Sequence, residues 1–447
     1  MADRYWVGGT AAWDGTAGTK WALTSGGAGG QAIPTSADDV FFDAASGAVT
    51  CTISTGNTGA KSITCTGFTG TLAGTATLSV SGSITLSAGM TFTYTGVVSL
   101  LATGTITSAG KSFGGLTING SGITVTLGDA ATIAASGTTT LTQGTLTLNG
   151  FTLSTGIFSS SNTNTRSISF GSVNIALTST TAGAVVLEMA TVNNFTVTGT
   201  GGFTRNQVNS ATVRFGPTGI LANQLVNLTV NAGSSNFSIT ASSAFKNVNF
   251  TGSSCLVSAS AVTILGNLTL ATGGTYTSFS PTMGNAVNTI TSNGKTLGNV
   301  TLSGQSLTLL DAMTSGGTFT FTAGIFNTQN FSVTSVSFST AGTFTRTLNM
   351  GSSTWTITGN GWTVSTTTNL VINAGTSTIS MTSASAKTFV GNGLTYYNIN
   401  QGGAGALSIN SSNTFSNITN TYSATGATSI LFSNGTTNTF TNWSRAA

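Results

Sequence analysis

Histidine is absent, proline and cysteine occur three times each, and 12 Lys and Arg with 8 Asp and Glu are the only charged side chains in 447 residues. Charged residues make up 4%, against about 25% in ordinary soluble domains. Each shortage excludes something. Without histidine there is no Ser–His–Asp or Cys–His arrangement and no imidazole to hold a metal. Cys51, Cys65 and Cys255 are odd in number and lack C-x-x-C spacing, so neither a zinc site nor a disulfide framework is expected. They read as small buried side chains. No run approaches the roughly 18 apolar residues of a spanning helix, so the mean hydropathy of +0.27 reflects missing charges and no membrane insertion is expected. The pI near 9.1 comes from cations scattered singly, with no stripe to follow phosphates, so nucleic acid is not an expected partner. The start, MADRYWVGGTAAWDG, shows no basic segment followed by an apolar one, hence no visible secretory signal.

Glycine (59 residues), Thr, Ser and alternating apolar residues fill the chain instead. In TATLSVSGSITLSAGMTFTYTG, residues 75–96, the apolar positions are Leu78 and Val80, Ile84 and Leu86, then Met90, Phe92 and Tyr94. That is a period of two in short strands separated by Gly/Ser turns, and it predicts an all-β protein. NLTV, NVNF and NLTL begin at Asn227, Asn247 and Asn267, 20 residues apart. A step of about 20 fits one coil of two or three short strands. The expected fold is an elongated parallel β-solenoid of roughly 15–20 coils at strand spacing. Drift in the period elsewhere predicts inserted loops.

A larger duplication overlies the coils, with residues 107–183 matching 291–363. TSAGKSFGGLTING from Thr107 corresponds to TSNGKTLGNVTLSG from Thr291, and from Gly144 and Gly324 the offset holds at 180. The charges repeat with it: Lys111 with Lys295, Asp129 with Asp311, Arg166 with Arg346. A second echo, NLTVNAG and NLVINAG, brings Lys246 close to Lys387. An active site is normally one place, whereas structural roles recur with their module. These charges are therefore read as scaffold, the arginines tying loop carbonyls or a neighbouring chain at a coil edge.

Chemistry has few candidates. Five of the eight carboxylates lie within the first 43 residues, leaving Asp129, Glu188 and Asp311. Polysaccharide cleavage needs two carboxylates about 5–9.5 Å apart. Asp129 and Asp311 should stand on the order of 40 Å apart in a stack of strands. SADDVFFD, residues 36–43, offers clustered oxygens for Ca²⁺, or a turn in which Asp38 and Asp39 cap backbone amides; the turn is preferred, and no metal or cofactor is expected. A flat Thr-x-Thr ice-binding face is disfavoured by the drifting coil length and the 25 Phe.

Residues 1–45 differ from the rest. Trp6, Trp13 and Trp21 predict a small aromatic core capping the first coil, whose open edge would otherwise recruit other strands. Residues 46–420 form the expected solenoid and 421–447 a C-terminal coil. Trp6, Gly8, Trp13, Trp21, Pro34, Asp39 and Val40 carry a spacing that resembles the start of repetitive β-solenoid surface and bacteriophage proteins. TRTLNMGSSTWTITG and GNGLTYYNINQGG, further on, resemble modules of phage virion and tail-fibre proteins. The resemblance implies a role in the particle and transfers no catalytic residue.

The expectation is thus a non-enzymatic structural protein of a bacteriophage virion, a fibre or surface decoration, made in the host cytoplasm. Its expected partners are other virion proteins, further copies of itself (as a trimer, for instance) and host surface glycans. Trp362, Tyr396 and Tyr397 are the candidate glycan contacts. Trp355 aligns with Ile175 and is assigned to the core. The rival readings are a glycan-cleaving tail spike and a bacterial adhesin or self-assembling filament.

Overall fold

The computed structural model describes residues 2–57, 59–216, 220–231, 233, 236–240, 242–252, 254, 256–423 and 429–445. Cys255 lies outside them. The chain is all-β, about 53% strand, and forms a parallel β-solenoid of about 18 turns. It divides into two compact units, residues 1–229 and 230–447.

In the first unit one face begins with Asp3–Trp6 and continues through Asp39–Phe41, Ser62–Thr64, Ile84–Thr85 and Gly104–Thr107. The register stacks Val40, Ile63, Ile84, Ile106 and Leu127 in successive turns, all buried. A second face stacks Val80, Leu100, Ile118 and Leu141. A third runs through Ser112–Phe113, Ala131–Ile133, Leu153–Thr155, Ile175–Leu177 and Gly202–Arg205. The alternation seen in the sequence is thus the division between inward aliphatics and outward Thr and Ser. Hydroxyls in adjacent turns meet on the outside, as Thr145 and Ser167 do at 2.8 Å. Most strands are flanked by others, so most backbone polar groups are satisfied within the ladders without charged side chains.

The tryptophan segment is the first turn itself. Ala11–Trp13 pairs with Thr50–Ile53, so the sheets run on across residue 45 without a break. Trp21–Ala22 pairs antiparallel with Asp3–Trp6 and covers its outer edge. The rings of Trp6 and Trp13 meet that of Trp21 edge-on at 5.0 and 5.1 Å, with Phe42 beneath them. All three indoles are fully buried.

The second unit repeats the plan. Its inward stacks include Phe326–Leu348–Ile372, Phe338–Trp362–Phe389–Ile409 and Trp355–Ile379–Ile399–Ile418. The duplication read from the sequence appears as equal registers: Gly144 faces Arg166 as Gly324 faces Arg346, and Leu153 faces Ile175 as Val333 faces Trp355. Gly324 has φ +93°, and a Cβ there would lie 1.9 Å from the Gly304 carbonyl. Only glycine fits that corner. The last strands, Ile430–Phe432 and Thr439–Arg445, continue the ladders of Leu407–Asn410 and Thr414–Asn420. The period drifts where loops are inserted between faces, as at residues 160–165, between Ile157–Ser159 and Arg166–Gly171.

Candidate functional site

The repeated charges are structural in their contacts. The Arg166 guanidinium is buried and donates to the Ser160 hydroxyl and to the carbonyls of Ser160, Asn164, Thr191 and Asn193, at 2.5–2.9 Å. It ties the loop at 160–165 to the following turn. Arg346 repeats the clamp, donating to the Thr340 hydroxyl and to the carbonyls of Gly342, Thr366 and Thr368. Neither has a carboxylate partner among the described residues. Carbonyl dipoles stand in for the counter-ion, and burial alone lowers the Arg166 pKa to about 10, which leaves it charged at neutral pH. Sequence reasoning missed two further clamps. Arg205 donates to the carbonyls of Leu177 and Ser179, and Lys387 to those of Ser383 and Gly405. The echo pairing Lys246 with Lys387 pointed to the second, yet Lys246 is exposed and the two do not share a role.

Asp129 and Asp311 are turn caps. Asp129 accepts the amides of Ser108 and Ala109, both at 2.7 Å. Asp311 accepts those of Ser292 and Asn293 at 2.7 and 2.5 Å. In each case the preceding turn carries two left-handed residues, Ala109–Gly110 and Asn293–Gly294, which aim successive N–H groups at one carboxylate. Lys111 closes the same turn and donates to the Ala88 carbonyl; Lys295 occupies the matching position and is half-buried. Glu188 pairs with Arg214 at 3.1 Å.

Near the start, Asp38 accepts the amides of Ala2 and Thr35 and the Thr35 hydroxyl, as the turn reading expects. Asp39 does not cap amides. It pairs with Lys61 at 2.8 Å and accepts from the Ser62 hydroxyl. Asp43 caps the short helical turn Ala44–Ser46. No group of three or more His, Cys, Asp or Glu that could hold a metal occurs among the described residues. Cys51 and Cys65 are buried free thiols, and burial raises the Cys65 pKa to about 12. No helix among the described residues is long and apolar enough to cross a membrane.

Two of the three proposed glycan contacts are overturned by their burial. Trp362 is 0% exposed and lies stacked on Phe338 at 4.0 Å. Tyr396 is 1% exposed, meets Trp362 and Phe389 edge-on, and donates its hydroxyl to the Gly391 carbonyl. Neither ring face is available to a ligand. Trp355 is core, as its alignment with Ile175 indicates. Tyr397 differs. It is half-buried and borders a surface hollow of about 340 Å³ with Asn373, Thr395 and Ser416.

That hollow exists because one ladder is interrupted. Leu370–Asn373 pairs with Arg346–Asn349. Thr395–Gln401, the next strand on this side, pairs with Thr378–Met381 and Thr414–Asn420 instead. Ile372 is left half-buried at the floor. Below it, Asn327, Asn349 and Asn373 occupy one outward register in three successive turns. Their amides are linked, Asn349 Nδ2 donating to Asn327 Oδ1 at 2.5 Å and Asn373 Nδ2 to Asn349 Oδ1 at 2.7 Å. A second hollow of about 180 Å³ borders Asn327 and Asn349. No residue lining either hollow is charged. The arrangement offers amide donors and acceptors, hydroxyls and one phenol ring, and no acid, base or nucleophile of unusual reactivity. No protein-family model, curated protein or solved structure matches this chain.

Proposed function

We propose that this chain is a non-enzymatic structural protein of a bacteriophage particle, serving as a fibre or surface decoration. The observation that carries the reading is the use made of the scarce charges. Arg166, Arg346, Arg205 and Lys387 each tie carbonyls of a loop or of neighbouring turns together. Asp129 and Asp311 each cap a turn of the stack. A chain under selection for a stiff, uncharged exterior would place its ionic groups this way. The resemblance of the first 40 residues to repetitive β-solenoid surface and phage proteins, and of the 345–359 segment to modules of phage virion and tail-fibre proteins, supports the particle as its location. Its partners would be other virion proteins and further copies of itself.

The test is electron microscopy of purified phage particles labelled with an antibody raised against the chain. Label on the tail or capsid supports the proposal and separates fibre from decoration. Label on host cells or loose filaments, with none on particles, overturns it.

A further inference from the structure

The corner of the second unit that carries Asn327, Asn349, Asn373 and Tyr397 joins a line of amides to two surface hollows. A linked amide line also runs through Asn398, Asn417 and Asn442. At the Tyr397 corner three side-chain amides stand in line, one per turn, beside two hollows. The line has polar ends. Within the described residues the Asn373 Oδ1 accepts no hydrogen bond, and the Asn327 Nδ2 donates none. A ligand would therefore find an acceptor at one end and a donor at the other, with pre-ordered amides between.

We propose that this corner binds an uncharged oligosaccharide laid along the stack of turns, with one sugar ring against the Tyr397 phenol and successive hydroxyls on the Asn373 and Asn349 amides. Four observations converge on that ligand. The upper hollow, about 340 Å³, lies at the small end of the range for ligand sites, about 300–1,000 Å³, which suits one ring more than a folded peptide. Its floor, Ile372, is apolar, and its wall is an aromatic side chain with a polar tip, a combination that takes the mixed faces of a sugar. The lining carries no charge, so nothing favours an acidic glycan, a phosphate or a nucleic acid. Finally, the amides repeat at the turn spacing, about 4.8 Å, so a ligand with its own linear repeat gains a contact per turn.

A peptide strand is the rival occupant, because among the described residues Leu370–Asn373 pairs with one strand, Arg346–Asn349. The adjacent faces disfavour it. Trp355–Ile379–Ile399 and Trp362–Phe389–Ile409 stay in continuous register through the same turns. The gap is therefore confined to one side, without room for an inserted strand at ordinary spacing.

This inference deepens the reading of the chain as a surface protein. Its test uses the purified full chain, so it succeeds or fails independently of where antibody label falls on particles. Maltoheptaose, cellohexaose and chitohexaose serve as neutral probes, a heparin hexasaccharide as the charged one, and an extended valine-rich peptide as the strand probe. Binding is read by isothermal titration and by protection of residues 370–376 and 394–397 from hydrogen exchange.

The expected result is binding of at least one neutral oligosaccharide, weakened at least tenfold by Tyr397→Ala, about 1.4 kcal/mol. Tyr397→Phe keeps the ring and should retain most of the affinity, which separates loss of the contact from loss of the fold. Asn373→Ala should weaken binding several-fold, and more for the hexamer than for a disaccharide. No binding of any neutral probe at millimolar concentration overturns the proposal. So does binding unaffected by Tyr397→Ala, binding of heparin alone, or protection by the peptide alone.

Discussion

The Asp311 carboxylate holds the Ser292 backbone amide at 2.7 Å, from the next turn of the stack. Its second oxygen takes the Asn293 amide, and the Ser292 hydroxyl returns a bond to the Ala312 carbonyl at 2.6 Å. Asp129 and Ser108 reproduce the set, down to the Ser108 bond to Ala130. A single carboxylate thus fixes a left-handed turn to its neighbour twice over. Asp311→Ala would leave the partly buried Ser292 N–H and the exposed Asn293 N–H without their acceptor and should cost about 1–2 kcal/mol. Asp311→Asn keeps one acceptor but turns an NH₂ toward the other amide, so its loss should be comparable. Faster hydrogen exchange at Ser292 and Asn293, with a lowered urea midpoint, is the expected outcome. Asp129→Ala should do the same at Ser108 and Ala109.

The arginine clamps predict an unusual salt response. Arg346 contacts carbonyl and hydroxyl dipoles and, among the described residues, no carboxylate, and it is fully buried. Screening ions reach such a site poorly. Arg346→Met should destabilise the second unit by about 3 kcal/mol or more, because several inward-turned carbonyls lose their donor. The difference between wild type and variant should stay constant from low salt to 1 M NaCl. Arg346→Lys places one ammonium where a planar fork reached several acceptors, so it should recover only part of the loss. Arg166→Met should behave alike in the first unit. Urea denaturation at two salt concentrations checks both statements.

Trp362→Ala should act on stability, contrary to what a surface contact would do. The indole is packed among Phe338, Trp355, Phe389 and Tyr396. Removing it leaves a cavity and should cost about 3–5 kcal/mol. The turns at Phe338 and Phe389 should become protease-sensitive together. Limited proteolysis of the variant against wild type, at a temperature where wild type is resistant, reads this directly.

The alternation of Thr with aliphatics made the solenoid legible, because a period of two with short turns leaves few other ways to bury those residues. Recurrence of Arg166 as Arg346 made their scaffold role legible too. What the pattern could not carry was the corners. In Thr354–Val364, Trp355 and Ile357 point inward, then Trp362 and Val364 do. The inward parity switches from odd to even as the strand turns onto the next face. Tyr396 and Ile399 show the same change beyond Tyr397. Alternation cannot be extended through a corner, so the exposure of Trp362 and Tyr396 could not be read from it. Arg205 and Lys387 were missed for another reason: Arg205 has no counterpart in the duplication, the echo of Lys387 falls near the exposed Lys246, and a lone cation in a polar sequence looks solvated. The amide line Asn327–Asn349–Asn373 was hidden because its members are 22 and 24 residues apart, steps set by loops on other faces.

The first turn should respond to acid before the rest of the first unit. Burial pushes the Asp38 carboxyl up, but the Thr35 hydroxyl and amide, the Ala2 amide and the Arg4 charge outweigh it and hold the pKa below the ordinary 3.8. Asp39 is also pushed up by burial and held low overall by Lys61 and Ser62. A carboxylate whose folded pKa lies below its unfolded value contributes stability that is fully present above the unfolded pKa, and the contribution disappears as pH falls through the folded one. Both carboxylates bind the strand Asp39–Phe41 and its approach to neighbours that frame the tryptophan cluster. Between pH 7 and about pH 5 the turn should therefore be unchanged. Below about pH 4 the amides of Ala2 and Thr35 should lose protection, ahead of those in Gly104–Thr107 or Arg166–Gly171. Asp38→Asn should lower stability at pH 7 and flatten its dependence on pH in this window. Loss of protection at the same pH throughout the first unit, in wild type and variant alike, would show that these two carboxylates do not govern its acid response.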